Sequence, residues 1–175
     1  WRFIFGPGTI GSLAWLSRNE QHLGRVRTGL TIGLLGDPGA LTYKRSRRGD
    51  SVTDRVAEHV LHGLFPSARI MDFEPYGYDE RQFCSPGFDL PVGRLTRSPN
   101  GQYPEYHTSA DNLEFVQPAC LTESIRALAG IIAVLDENRS LKNLSPKGEP
   151  RLGKRGLYGT MGGTTPGAFE HALLW

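Results

Sequence analysis

The chain has 175 residues, near the size of one domain. Hydrophobic residues make up 38% and charged residues 22%, a globular balance that excludes a disordered tail. Lys and Arg number 20 against 18 Asp and Glu, and a formal charge of +2 is too small to argue for nucleic acid. No uninterrupted apolar run approaches ~20 residues, so no membrane-spanning helix is expected. Two cysteines, Cys84 and Cys120, make no disulfide framework, and a reducing cytoplasm is the expected compartment. The sequence opens on Trp1-Arg2-Phe3-Ile4-Phe5 and ends on Ala172-Leu173-Leu174-Trp175. Termini are usually polar and frayed, so these apolar ends suggest a piece of a longer protein.

The elements follow in order. Residues 2–5 read as a short strand, broken by Gly6-Pro7-Gly8. A helix is expected to start between Thr9 and Ser12, with Leu13, Trp15 and Leu16 on its apolar side. Residues 28–35 read as a strand that ends at Gly36-Asp37-Pro38-Gly39. Asp50 or Ser51 caps a helix reaching about Leu64, with Val52, Val56 and Val60 on one face. Residues 69–73 and 90–95 read as two further strands. Pro118 opens a helix to Glu137, where Leu121, Ile125, Leu128, Ile132 and Leu135 fall at helical spacing. Strands alternating with helices predict an α/β three-layer sandwich with a largely parallel, mixed sheet. Sites in such sheets form where strands end, which directs attention to residues 6–12, 36–50 and 75–88. Residues 141–165 are dense in Gly, Pro, Lys and Arg and read as a linker or extended wrap. A new helix is expected from Pro166.

Several constellations carry potential chemistry. Gly6-Pro7-Gly8-Thr9-Ile10-Gly11 matches a dinucleotide fingerprint in form. The acid that should hold a ribose ~20 residues later is missing, so a tight strand-to-helix turn explains the glycines as well. His107 lies in a non-periodic loop with Glu105 and Asp111, residue types that ligate zinc. A surface histidine bonded to those acids fits the same residues. Asp37 ends a strand at a turn, where it is either turn chemistry or a carboxylate facing a site. Asp79 and Glu80 admit the same two readings, with Arg81 as a neutralising neighbour. The basic run Lys44-Arg45-Ser46-Arg47-Arg48 either holds an anionic ligand group or is solvated. Cys84 has no neighbouring base and reads as a buried small apolar residue.

Four stretches together resemble one family. They are residues 2–12, residues 42–50, residues 76–88 (Tyr76-Gly77-Tyr78-Asp79-Glu80-Arg81-Gln82-Phe83-Cys84) and residues 105–113 (Glu105-Tyr106-His107-Thr108-Ser109-Ala110-Asp111). The chain resembles bacterial proteins that carry an aminopeptidase-like zinc-exopeptidase domain followed by a winged helix-turn-helix domain. These are often encoded among polysaccharide-biosynthesis genes. The resemblance implies a phosphorylase/hydrolase-like zinc-exopeptidase fold. It implies the C-terminal half of that domain over residues 1–140, a linker or wrap over 141–165, and the start of a truncated winged helix-turn-helix domain over 166–175.

The implied activity is zinc-dependent hydrolysis of a small peptide or amide by metal-activated water. His107 and Asp37 are the implied metal ligands, with Thr108 and Asp111 completing the element around His107. Asp79, four residues before Phe83, is implied beside the metal in a proton-handling role. Tyr43, Arg45, Arg47, Tyr78 and Arg81 are the expected substrate-binding side chains. One departure is prominent. Peptidases of this kind carry a Glu or a Glu-Glu pair in the loop that here reads Gly6-Pro7-Gly8-Thr9-Ile10-Gly11-Ser12, without an acid. Loss of a general base typically removes about 10²–10⁴-fold in rate. A non-catalytic binding or regulatory module on the same fold is therefore the competing expectation, and an NAD(P)-binding oxidoreductase a distant third. Neither a membrane nor a nucleic-acid partner is expected for this stretch of chain.

Overall fold

Side chains on a strand alternate between two faces, and that period decides what each layer of this protein does. The computed structural model describes residues 1–140, 142, 144, 146–148 and 154. The chain divides into two compact units, Trp1–Asn138 and Arg139–Trp175, and the description that follows is of the first. The helix expected from Pro166 lies outside the described residues, as does most of 141–165. The elements are α1 (Ile10–Asn19), a 3₁₀ segment (Glu20–Arg25), β1 (Gly29–Ile32), β2 (Thr42–Lys44), α2 (Val52–Leu64), β3 (Arg69–Met71), α3 (Glu80–Phe83), β4 (Val92–Thr96) and α4 (Pro118–Glu137).

The four strands form one mixed sheet in the order β1-β4-β2-β3. β1 runs parallel to β4, β2 runs parallel to β3, and β2 and β4 are antiparallel. Tyr43 pairs with Leu95 and with Ile70, so these three share a face. That face packs on Val56, Ala57, Val60 and Leu61 of α2 and on Ala127 and Ile131 of α4. Gly130 lets the two helices close up, since a Cβ there would stand 3.0 Å from a Val60 methyl. The opposite face begins at Val92, against a second apolar cluster of Leu16, Leu23, Cys84 and Leu90. Helices therefore flank the sheet on both sides, as the three-layer expectation required.

Several expectations are corrected. Residues 2–5 form no strand among the described residues, and Phe3 and Phe5 are exposed. On α1, Leu16 is buried but Leu13 faces out. β2 was not foreseen, because its three residues lie inside a run read for its charge. On α4 the buried stripe is Ser124, Ala127 and Ile131, while Leu121 and Ile125 are exposed. The reason is composition. α4 is apolar nearly all round, so spacing alone does not choose its inner face. By length and mean hydropathy (1.5) α4 is also long and apolar enough to cross a membrane, contrary to the expectation of no such helix. Interspersed small and polar residues hide this from a search for an unbroken run. In the protein, α4 packs on α2 and is fastened by Arg97. That guanidinium pairs with Glu123 at 2.7 Å and donates to the Cys120 carbonyl.

α2 has the strongest local signal, and it forms as expected. Ser51 caps it in a reciprocal box, with Asp54 N–H donating to Ser51 Oγ and Ser51 N–H donating to Asp54 Oδ2 at 2.9 Å. The Asp54 carboxylate also accepts from Ser46 N (2.7 Å), Ser46 Oγ (2.6 Å) and the Tyr43 phenol (2.8 Å). One buried carboxylate thus ties the helix cap, the β2 exit and the core tyrosine together. Burial alone would raise the Asp54 carboxyl. Hydrogen bonds from Ser46, Ser51 and Tyr43 outweigh it and hold the group below the usual carboxylate range. Burial, and then the Asp54 charge, push the Tyr43 phenol up.

A depressed folded value means that Asp54 stabilises fully above the unfolded carboxylate range, about pH 4. That contribution is lost as pH falls through the folded value. Asp54→Asn should therefore cost about 1–3 kcal/mol at neutral pH, and the gap to the parent should narrow steadily below about pH 4. Urea unfolding of both proteins across pH checks this; a gap that stays constant into acid would refute it.

Candidate functional site

The turn that opens α1 is strained. Ile10 N–H donates to the Gly8 carbonyl at 2.7 Å, and Thr9 between them sits at φ 56°, ψ −51°. This is the rare γ-turn with positive φ, costly for a β-branched residue. Asp79 holds it in place. Its Oδ1 accepts from Thr9 N at 2.7 Å and from Ser12 Oγ at 2.6 Å. Asp79 is thus a positioning residue for residues 8–12. Directly above, the Tyr78 phenol fills the space that a side chain at position 8 would need. A Cβ on Gly8 would fall 1.7 Å from Tyr78 Oη. No acidic side chain lies in residues 6–12.

The next residue, Glu80, faces the sheet. It is fully buried, and its Oε1 pairs with Lys44 Nζ at 2.5 Å. Both its oxygens accept from Tyr78 N–H. Lys44 also donates to the carbonyls of Tyr76 (2.5 Å) and Glu74 (3.3 Å). Arg94 lies opposite Lys44 on β4, 3.9 Å from Glu80 Oε2, with its guanidinium 5.7 Å from the centre of the Tyr78 ring. Glu80 is therefore neutralised from the strands. Arg81, its expected partner, makes no ion pair with it, and Arg81 Nε is buried without a partner.

A third part lies at the C-terminal ends of β1 and β4. Asp37 is buried, and its Oδ1 accepts from Gly39 N (2.8 Å) and Ser98 Oγ (2.5 Å). Ser98 N–H lies 3.3 Å from each of its oxygens. Asp37 thereby roots the long loop 98–117, whose far end returns to the same turn, with Gln117 N–H on the Gly36 carbonyl at 2.8 Å. A loop with its ends drawn together in this way is a common carrier of function. Tyr103 stacks on Phe115 and meets Tyr106 edge-on, each at 5.5 Å between centroids. Burial, and then the charges of Asp111 and Asp37, push the Tyr103 phenol up. His107 is exposed at φ 59°, with its ring stacked on Tyr106 at 3.9 Å. Thr108 Oγ donates to the Glu105 carbonyl at 2.8 Å, and Asp111 is exposed.

The sequence-derived site residues thus fall into separate places. Asp37 and the loop of His107, Thr108 and Asp111 share one root. Asp79 and Tyr78 sit at the α1 turn. Tyr43 is fully buried on the helix-facing side of the sheet, so it is a core residue bonded to Asp54. Arg45 pairs with Glu58 (2.6 Å) and Asp72 (2.5 Å), while Arg47 is exposed. Sequence reasoning missed Lys44 as a buried residue, together with Arg94, Ser98 and the inward role of Glu80. The alternation Val92-Arg94-Thr96 within a fully buried strand was the available signal.

Zinc sites use three or four protein ligands. Among the described residues no group of three His, Cys, Asp or Glu side chains converges as a metal requires. Asp37 and His107 alone do not make a zinc site.

If Asp79 holds Thr9 against strain, Asp79→Ala should cost about 1–3 kcal/mol by stranding the Thr9 N–H and Ser12 hydroxyl. Thr9→Gly should be neutral or stabilising, whereas an added glycine ordinarily costs about 0.5–1 kcal/mol. Thermal unfolding of both variants checks the pair. A Thr9→Gly loss of the ordinary size would argue that the turn is unstrained.

Comparison with known proteins bears on this arrangement. A family model described as a domain of unknown function (DUF4910) matches residues 1–138, and a winged helix-turn-helix model matches residues 139–175. The chain is 46% identical over 176 residues to a Clostridium acetobutylicum protein whose name assigns it provisionally to polysaccharide biosynthesis, with an aminopeptidase-like domain. The match covers 100% of this chain and 40% of that relative. A crystal structure from the same organism, provisionally named a peptidase, superposes with a TM-score of 0.78 at 46% identity, over 86% of this chain and 36% of that one. A zinc aminopeptidase from Bacillus subtilis superposes at 0.59 with 16% identity, over 77% of this chain and 34% of that one, which is a likeness of fold. The first 138 residues, with their mixed sheet and flanking helices, belong to the DUF4910 family and share the aminopeptidase-like α/β fold.

Proposed function

We propose that this chain forms part of a peptide- or amide-binding site on an aminopeptidase-like scaffold, with its described residues binding and positioning a ligand. One observation carries the reading. The α1 turn, where the resemblance places an acid, has none, and Tyr78 fills the space above Gly8. A site so arranged keeps the shape of the fold without a general base at that turn. The peptidase and aminopeptidase-like names of the two relatives from Clostridium acetobutylicum support a peptide-like ligand. The chain spans 40% of the curated relative, so this proposal concerns the part of the site built here.

A second reading, a zinc-dependent hydrolase, is favoured by a specific feature. Asp37 and the loop carrying His107 share one root at Gly36 and Ser98. Asp37 Oδ2 takes only a long contact from Ser98 N–H, so it retains room for a further partner. The two readings differ in outcome. On the binding reading, purified protein should contain no stoichiometric zinc and should leave aminoacyl amides intact, and His107→Ala should change neither result. Zinc at about one ion or more per chain, together with aminoacyl hydrolysis abolished by His107→Ala, would replace the binding reading with the hydrolase.

A further inference from the structure

We propose that the cavity over Arg94 is a carboxylate pocket, with that guanidinium as the receptor. The strand period builds it. Thr42 and Lys44 of β2 lie on one face. Their partners are Thr96 and Arg94 on β4 and Arg69 and Met71 on β3. This is the face that α1 and α3 cover only at its Val92 end. Beyond Glu80 no helix among the described residues covers it, and a cavity opens between Lys44, Arg94, Thr96, Asn100 and Gln102.

The charges in it do not cancel. Lys44 and Glu80 close on each other at 2.5 Å, and Lys44 has two carbonyl partners besides. Arg94 is only 4% exposed. Of its donors, Nη2 reaches Asn100 Oδ1 at 2.6 Å. Nη1 stands 3.9 Å from Glu80 Oε2, beyond hydrogen-bond range, and Nε is buried without any partner. A buried guanidinium with unfilled donors is costly unless an anion completes it. The Tyr78 ring contributes only a weak quadrupole contact.

A second cation, Arg69, lines an adjoining cavity that shares Thr42, Pro99 and Gln102 with the first. Among the described residues Arg69 forms no ion pair, whereas Glu74, an exposed carboxylate, stands at the rim of the first cavity. The interior therefore carries one uncompensated positive charge on a planar fork. That matches one carboxylate, which Arg binds bidentately. A phosphate dianion would leave a negative charge unmatched. The carboxylate can come from the end of a peptide or from an acidic sugar, and the same fork serves both.

The test is a calorimetric or NMR titration of the purified chain at fixed ionic strength. N-acetylalanine is compared with its amide, and glucuronate with glucose. Each acid should saturate and each neutral partner should not. Arg94→Gln should weaken binding about tenfold or more, and Arg69→Gln, at the exposed edge, about two- to fivefold. Should Arg94→Gln fail to fold, Arg69→Gln and the acid-against-neutral comparison still decide. Equal binding of acid and neutral forms, no saturable binding, an Arg69→Gln variant that binds as the parent does, or phosphate binding more tightly than either acid would each overturn the proposal. Binding by the peptide acid alone names a chain terminus as the source, and by glucuronate alone an acidic sugar. Zinc content and aminoacyl hydrolysis decide the peptide-binding reading, and neither depends on Arg94, so failure of this titration is distinct from failure of that reading.

Discussion

Asp79 and Glu80 are adjacent carboxylates with partners in different parts of the fold, and most of the candidate site depends on this divergence. Asp79 reaches the turn at Thr9 and Ser12. Glu80 reaches Lys44 and Arg94 on the strands. The short helix α3 therefore joins the start of α1 to the centre of the sheet through two anions. The Glu80 link is not a surface ion pair of small worth, because Glu80 is fully buried and its removal would strand a buried ammonium. Tyr78 sits between the two links. Its phenol lies over Gly8 and the Arg94 guanidinium stands over its ring, so one side chain touches both places.

The sheet shows how one strand serves two purposes. On β4, Leu95 joins the α2–α4 core, while its neighbours Arg94 and Thr96 face the opposite side. On β2, Tyr43 points to the core and Lys44 to the charged side. Along the charged side the character changes from apolar at Val92, through Arg94 and Lys44, to hydroxyls at Thr96 and Thr42. It then meets Ser98 and Asp37 at the loop root. The apolar end is sealed by α1 and α3. Among the described residues no helix covers the polar end.

Where a strong local rule acted alone, the sequence was readable. Ser51 and Asp54 fix the start of α2 by reciprocal hydrogen bonds, and Val56 and Val60 fix its inner face. Pro118 marks the start of α4. The alternation of elements implied the layered α/β fold. Legibility failed where tertiary context overruled local character. Residues 2–5 have strand composition but no ladder partner among the described residues. Lys44 belongs by sequence to a basic run, yet it is the buried end of a strand, because its ammonium finds Glu80 and two carbonyls. The inward turn of Glu80 has no local signature, since its partners are 36 and 14 positions away, at Lys44 and Arg94. Asp37 and Asp79 were recognisable as special from their settings. Their present bonds, to Ser98 and to Thr9, required the folded chain to be seen.

Asp37 roots loop 98–117, and its hydrogen bonds fall unevenly on its two oxygens. An ionised carboxylate offers about four acceptor positions. Oδ1 takes short bonds from Gly39 N–H and Ser98 Oγ, while Oδ2 has only the 3.3 Å approach of Ser98 N–H. The anchoring bonds therefore fall on one oxygen and orient the other. A carboxylate held by several short bonds is fixed in orientation, as anchoring groups of a loop must be. The same anchor sets the start of loop 98–117, which brings Asn100 and Gln102 to the Arg94 cavity and carries His107 further along. One buried aspartate thus roots the loop that supplies Asn100 and Gln102 to that cavity.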